Sequence, residues 1–563
     1  MRSVLHFLGI LLVVAGAISA GSPRTHAAEP VPAENQPKAD EAPTRFLRQI
    51  MLVTDVETAA KQVFQPDGGY VVVSPSLPGL DRAELTRRLS AGENAPITDR
   101  LLVGIVQVVE AYARQMNYPI AAAVIPPQNI ADGVVRVAVY LGKIRNISFQ
   151  GGQWFSEKLL REKLRMDQGR LVNLSEMDQA INWTNNNPFR RINVQVNPVP
   201  GTAEADLVVA VQDQAPVRLA ATADNSGNPI VGRNRYTASL TYGNLWGRDH
   251  IVSYQHITSN RHDIFRGHGF DYRAPLPWRH TLQFSGSYLR ITPSFYEGLF
   301  EQVAENLTGD LRYLWPLQTG QSPLDASFAI NFKESNNNLA FGGTQVLSTK
   351  VDTFLLTSSI SKVIRQAKGI WVFSGSLSLS PGEINERNSL ERFRDARLLA
   401  KARYATGTLS MQRLQALGGG WELSLRGLAQ LASTNLLSNE QLNLGGASTV
   451  RGFGENVISG DQGFTMTAEM LSPTLRFPLK IRKDRALPLD VRGLLFWDAG
   501  RASRKVSTPY DPYTHAISSL GTGARVSLDR YLSVTLDYGW QLVGSRELKT
   551  GHQRLHLRGT LSY

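Results

Sequence analysis

The feature that most constrains the fold is an alternation of period two that runs from Val217 to the last residue. Leu282, Phe284, Gly286 and Tyr288 alternate with polar partners, as do Leu307, Gly309, Leu311, Tyr313 and Trp315, then Phe328, Ile330 and Phe332. Phe373, Gly375, Leu377 and Leu379 follow, then Leu532, Val534, Leu536, Tyr538 and Trp540. The final segment sets Leu555, Leu557, Gly559, Leu561 and Tyr563 against Arg554, His556, Arg558, Thr560 and Ser562. Such a period predicts strands with one apolar and one polar face. A soluble sandwich would show the same pattern with its polar face outward. The length of the span, without a helical stretch, and its closure on an aromatic residue favour a transmembrane antiparallel β-barrel. At roughly 22 residues per strand and loop, the region 217–563 holds about 16 strands.

The N-terminus bears on compartment. Arg2 precedes an apolar stretch from Val4 to Ala17, interrupted at His6 and followed by small residues, which is the pattern of a secretory signal peptide. Cleavage after Ala17, Ser19, Ala20 or Ala27 is compatible with it, so residues 1–27 bound the signal. A Pro/Ala-rich segment, 28–44, comes next. No later apolar run reaches the roughly 18 residues of a spanning helix. The chain has no cysteine, which removes disulfides, thiolate metal sites and cysteine nucleophiles together. Its net charge of +12 comes from basic residues spread along the chain instead of gathered in a stripe. That spread argues against nucleic acid and favours a barrel lumen lined with Arg and Lys.

Two small α+β units are expected ahead of the barrel. In residues 45–142, Thr98 can cap a helix carrying Leu101, Ile105, Val108 and Tyr112, followed by strands Ile120 to Ile125 and Val134 to Tyr140. The expected order is helix, then hairpin. In residues 143–213 the order is β-α-α-β-β: a strand from Ile144 to Phe149, a helix capped by Ser156, a second from near Ser175, and two alternating strands around Val194 and Val209.

Several motifs then fall in an order that resembles the two-partner secretion transporters, the haemolysin secretion/activation (TpsB) family of the outer-membrane assembly superfamily. In the first unit, Tyr118-Pro119 followed by Pro126, Gln128, Ile130 and Gly133 is similar to the first POTRA signature. At the barrel entrance, Asp224-Asn225-Ser226-Gly227, Gly232 and Arg235, then Tyr242-Gly243-Asn244-Leu245-Trp246-Gly247, resemble the family's first hairpin. Further on, Val450-Arg451-Gly452-Phe453 resembles the tip motif of the loop that folds back into the barrel. Phe496, Asp498 and Gly500 resemble the F-x-D-x-G motif of an inner strand. Two departures stand out. Pro30, Pro32, Pro37 and Pro43 disfavour the N-terminal plug helix of many members. Arg558 stands where the terminal assembly signal, here Leu561 and Tyr563, usually carries a glycine.

What the resemblance implies is a pore in the bacterial outer membrane, with POTRA domains in the periplasm, that receives a large unfolded exoprotein and exports it. Its other partners would be outer-membrane lipid and the barrel-assembly machinery. Physical chemistry supports the key pair independently. A loop inside a wet lumen has no hydrophobic core to hold it, and a bidentate Arg451–Asp498 bond would fix it, with Gly452 permitting the turn and Phe453 wedging against the wall. The alternative is two unrelated lumen charges. A three-stranded sheet edge in a POTRA domain suits strand addition by an extended client. The signature residues read equally well as a turn that sets the domain's fold.

No nucleophile elbow, paired zinc-binding histidines or phosphate loop is visible, so no enzyme, metal or cofactor is expected. His256, His262, His268 and His280 are assigned to the lumen or loops. An insertase of the same superfamily and a passive porin are the rival functions. The first usually has more POTRA domains, and the second would need none.

Overall fold

The computed structural model describes residues 45–61, 69–295, 300–320, 322–341, 344–482, 485–507, 514–544 and 551–563. The expected signal peptide, the Pro/Ala-rich segment and the stretch whose prolines disfavour a plug helix lie outside the described residues.

The first unit runs β1 (Gln49–Val53), α1 (Val56–Lys61), β2 (Val71–Val73), α2 (Arg82–Leu89), α3 (Asp99–Gln115), β3 (Ala121–Val124) and β4 (Val134–Leu141). Its sheet has the order β2-β1-β4-β3. The expected helix and hairpin are present as α3, β3 and β4, but two strands and two helices precede them. β1 escaped because it is buried along its whole length between parallel neighbours on both sides. A strand with no solvated face shows no alternation. Thr98 does cap α3, accepting from the Leu101 N–H at 3.2 Å, and the helix buries Ile105, Val109, Tyr112 and Ala113 against the sheet. Each large apolar side chain so buried contributes about 1.5–3 kcal/mol relative to exposure.

The second unit follows as β5 (Lys143–Gly151), α4 (Glu157–Leu164), α5 (Leu174–Thr184), β6 (Arg190–Pro198) and β7 (Glu204–Asp213). Ser156 and Asn173 cap its helices. β7 lies between β5, parallel to it, and β6, antiparallel to it, so β5 and β6 are the free edges.

From Val217 the chain is a closed antiparallel barrel of 16 strands. Two of the strands are interrupted: Ser294–Phe295 continues Thr281–Ile291, and Leu475–Arg482 continues Gln462–Leu471. The last strand, Gln553–Ser562, closes on the first, Val217–Asp224. Tyr563 adds a rung, exchanging backbone bonds with Leu219 at 3.1 and 2.9 Å. At the other end of the seam, the Asn225 side chain bonds Leu555 O at 2.7 Å and Leu557 N at 2.9 Å. The apolar residues of the alternation, among them Phe284, Leu311, Ile330, Leu377, Leu557 and Leu561, face outward and are exposed.

Two expectations change here. The lumen is not evenly lined with Arg and Lys. Much of its wall carries hydroxyls that bond across neighbouring strands: Thr241 with Ser253 at 3.0 Å, Ser287 with Thr308 at 2.7 Å, Ser376 with Thr408 at 2.6 Å and Thr222 with Thr560 at 3.0 Å. Short hydroxyls satisfy one another across a ladder, whereas facing guanidiniums would repel. Inward arginines are interspersed with the hydroxyls, paired with carboxylates, as Arg273 with Asp271 at 3.0 Å, Arg312 with Asp310 at 3.3 Å and Arg476 with Asp490 at 2.7 Å, and a further charge cluster forms where the folded-back loop meets the wall. The histidines are also misassigned in part. His256 and His268 share the outward face with Tyr254 and Phe270, their rings 4.8 Å apart, and His280 bonds Tyr313 Oη at 2.5 Å on that same face. Imidazoles and tyrosines paired this way belong to an interfacial belt, which period two alone does not separate from a lumen face.

Candidate functional site

The extracellular loop 433–461 turns back into the barrel as a hairpin, with Leu442–Leu444 paired to Ile458–Gly460. It brings its own small core: Leu442, Leu444, Val450, Phe453 and Ile458 pack against Ala502 and Ile517 of the wall. Gly445 and Gly446, with φ of +99° and +100°, open the tip, and Gly452, with φ of +88°, turns it. L-residues rarely adopt these values, which accounts for glycine at all three.

Arg451 sits at the tip, 3 % exposed, facing the strand Arg485–Ser503. Its Nε donates to Asp498 Oδ2 at 2.7 Å, its Nη2 to Oδ1 at 2.8 Å, and its backbone N–H to Oδ2 at 3.1 Å. The pair predicted from the two motifs is thus brought together in bidentate geometry. Asp498 lies five residues in from Ser503, about 17 Å of strand below the extracellular rim. The Arg451 guanidinium also stacks 3.5 Å from the centroid of Phe496. Gly500 faces the loop core, where a Cβ would come 3.1 Å from Leu444 and 3.3 Å from Val450. All seven motif residues therefore converge on one spot.

Other residues complete the site. Arg451 Nη1 donates to Glu469 at 2.6 Å and lies 3.6 Å from Asp537. Arg525 pairs with Asp537 at 2.8 Å, and Arg426 with Glu469 at 3.3 Å. Three guanidiniums thus face three carboxylates. The Gly452 N–H donates to His556 Nε2 at 3.1 Å, and its carbonyl accepts from Gln541 at 2.7 Å. Gly539 lies under this turn, where a Cβ would sit 2.7 Å from Gly452 N. Glu469, Arg525, Asp537, Gly539, Gln541 and His556 carry no local motif. Only strand register, known from pairing, assembles them.

Above this contact, Asp461 ties three extracellular loops. Its carboxylate accepts from Arg397 at 3.2 Å, the Leu436 and Lys505 N–H groups at 3.0 and 2.9 Å, and Gln441 at 3.1 Å.

The POTRA-signature residues occupy a clasp in the first unit. Gln128 Nε2 donates to Arg136 O and its Oε1 accepts from Arg136 N, both at 2.8 Å, holding the loop to β4. Gly133, with φ of +72°, closes a turn on Ile130 O at 3.0 Å, and a Cβ there would come 2.6 Å from Phe46 O. Tyr118 and Pro126 are buried, and Ile130 packs against the core.

A second contact joins the second unit to the barrel. Asp249, in a periplasmic turn, accepts from Arg190 Nη1 at 2.6 Å and Nη2 at 2.8 Å, and from Asn187 at 2.7 Å. Lys163 lies 3.1 Å away. Burial holds the Lys163 ammonium below its usual range, against the pull of Asp249. The Phe189 ring covers Gly243 so closely that a Cβ there would be 2.1 Å from it. Asn244 donates to Trp154 O at 3.1 Å. The Tyr242–Gly247 motif, read as part of a hairpin, is also the seat of this unit.

A family model described as "Haemolysin secretion/activation protein ShlB/FhaC/HecB" matches residues 203–526, and one for the "POTRA domain, ShlB-type" matches 73–142. The "Heme/hemopexin transporter protein HuxB" of Haemophilus influenzae is 22% identical over 390 residues, 67% of this chain and 66% of its own length. The "Outer membrane transporter CdiB" of Dickeya dadantii is 22% identical over 62% of each chain. The chain thus spans a little under two thirds of the length of these relatives. Among solved structures, CdiB from Escherichia coli superposes with a TM-score of 0.74 at 16% identity, covering 94% of this chain and 93% of that one. CdiB from Acinetobacter baumannii gives 0.66 at 18% identity, covering 95% of both.

Proposed function

Because the chain belongs to the haemolysin secretion/activation family, a family of outer-membrane barrels with POTRA domains in the periplasm, we propose that it exports a large partner polypeptide through its lumen. The observation that carries this reading is the loop tip at Arg451. It lies inside the lumen, held to the wall by polar contacts, which water can replace during passage, and by a small apolar core. The partner arrives unfolded and adds as a strand to a free edge of a POTRA sheet, β5 or β6 in the second unit. The residues Tyr118, Pro126, Gln128, Ile130 and Gly133 keep the first domain in shape for that contact. The buried joint at Asp249 holds the second domain beneath the mouth, so that a captured chain is delivered to the lumen. Folding outside gives the direction, with no cofactor.

The test is genetic. Deleting the gene should leave a large partner exoprotein trapped in the periplasm, with other outer-membrane barrels at normal levels. Continued secretion of the partner would sink the proposal.

One observation favours the insertase as a second reading. The seam between Gln553–Ser562 and Val217–Asp224 has five paired residues, against eight for the next pair of strands, so it is the easier one to part. On that reading the same deletion would deplete other barrels while leaving secretion intact.

A further inference from the structure

The outward wall carries an arrangement that an apolar lipid face does not explain. On the strands Phe265–Pro275 and Thr281–Ile291, Arg266 stands directly opposite Arg290. In the next outward row, His256, His268 and Tyr288 stand abreast. Both rows lie at the extracellular end, immediately above the apolar wall of Tyr254, Phe270 and Phe284. Like charges directly opposite one another on antiparallel strands destabilise the pair, and more so beside a low-dielectric medium. Among the described residues, a single carboxylate approaches from the neighbouring strand: Glu305 lies 3.7 Å from Arg290 and accepts from Tyr288 Oη at 2.9 Å. Arg266 is exposed and forms no hydrogen bond or ion pair among the described residues. His256 Nδ1 is buried without a hydrogen-bond partner among the described residues.

We propose that Arg266 and Arg290 bind the phosphate of an outer-leaflet lipid, with His256 and His268 below them contacting its headgroup and its acyl chains lying on the wall at Phe270 and Phe284. A guanidinium fork matches two phosphate oxygens, and two forks on adjacent strands bracket one phosphate. Free phosphate shares that chemistry but offers nothing to the apolar wall beneath. The inference rests on the barrel's outer-membrane placement and is independent of export.

The test uses the full-length protein in detergent and native mass spectrometry with three probes: a bisphosphorylated acylated disaccharide, the same glycolipid without phosphates, and inorganic phosphate. The double variant Arg266→Gln/Arg290→Gln should bind the phosphorylated glycolipid about tenfold more weakly than the native protein. Arg266→Lys/Arg290→Lys should fall between the two. Arg501→Gln, on another outward face, should match the native protein. Heat-modifiable migration reports that each barrel is folded, and the lysine pair serves if the glutamine pair is not. Equal retention of the phosphorylated glycolipid by native and glutamine proteins would overturn the proposal, as would no preference over the dephosphorylated form. Binding of inorganic phosphate as tight as that of the glycolipid would assign the arginines to the free ion and overturn it too.

Discussion

At the scale of the residue, Arg451 is a buried charge whose worth lies in what its removal leaves behind. Without it, Asp498, Glu469 and Asp537 face only Arg525 and Arg426, and breaking such a buried pair typically costs about 3–5 kcal/mol. Arg451→Gln should therefore release the loop, read as a higher single-channel conductance in planar bilayers. Unchanged conductance would show that the apolar part of the loop holds it alone. Exchanging Arg451 and Asp498 would be a poor test of their contact, because an aspartate at 451 meets Glu469 and Asp537 as well. A double-mutant cycle with Arg451→Gln and Asp498→Asn avoids new repulsion and should show a coupling of about 1–3 kcal/mol in loop protection from protease. Gly452→Ala meets two obstacles, a φ of +88° and the Gly539 backbone 3.0 Å away, and should loosen the loop while Arg451 remains. The arginine and aspartate were legible because each sits in a short motif. Glu469, Arg525, Asp537 and His556 were not, since each looks like any inward polar residue of its strand.

At the scale of the element, the joint between the second POTRA domain and the barrel is built from β6, α4, the periplasmic turn of Asp249 and the next periplasmic turn, where Pro277 O accepts from Arg165. Asp249→Ala would leave Arg190 and Lys163 facing each other without a counter-charge, and faster hydrogen exchange in β6 and α4 is the expected result. Exchange unchanged from the native protein would mean that Phe189 on Gly243 suffices. Lys163 also gives this domain a pH signature. Its folded-state pKa is lowered, so between that value and 10.5 the unfolded chain binds more protons than the folded one. Stability should accordingly rise with pH across that window, and Lys163→Met should flatten the rise in thermal melting. The β-α-α-β-β order of this domain could be read from the sequence because each of its elements has one dry face and one wet one. β1 of the first domain, dry on both faces, could not.

At the scale of the whole molecule, the barrel is closed by a seam shorter than its neighbour and extended at its ends by Asn225 and Tyr563. Asn225→Ala removes two side-chain bonds that bridge the seam at its extracellular end. It should lower the temperature at which heat-modifiable migration is lost by a few degrees. A loss of the same size from a polar substitution remote from the seam would show that the effect is not local. The hydroxyls along the lumen would give the extended chain of the proposed export many weak sites, because each bond made to the wall replaces one to water.

Much of the molecule's class was written in its residues: a sustained alternation makes a wall with one dry and one wet face, and the motifs at Arg451 and Asp498 pointed to the family. Which face was wet at each strand, and therefore that His256, His268, Arg266 and Arg290 point toward lipid, was decided by the tertiary structure. So were the charge cluster around the loop tip and the joint at Asp249. The physical reason is common to all three. Period two records that neighbours point opposite ways, whereas contacts between strands and between domains depend on register and closure, which bring together residues that no local pattern links.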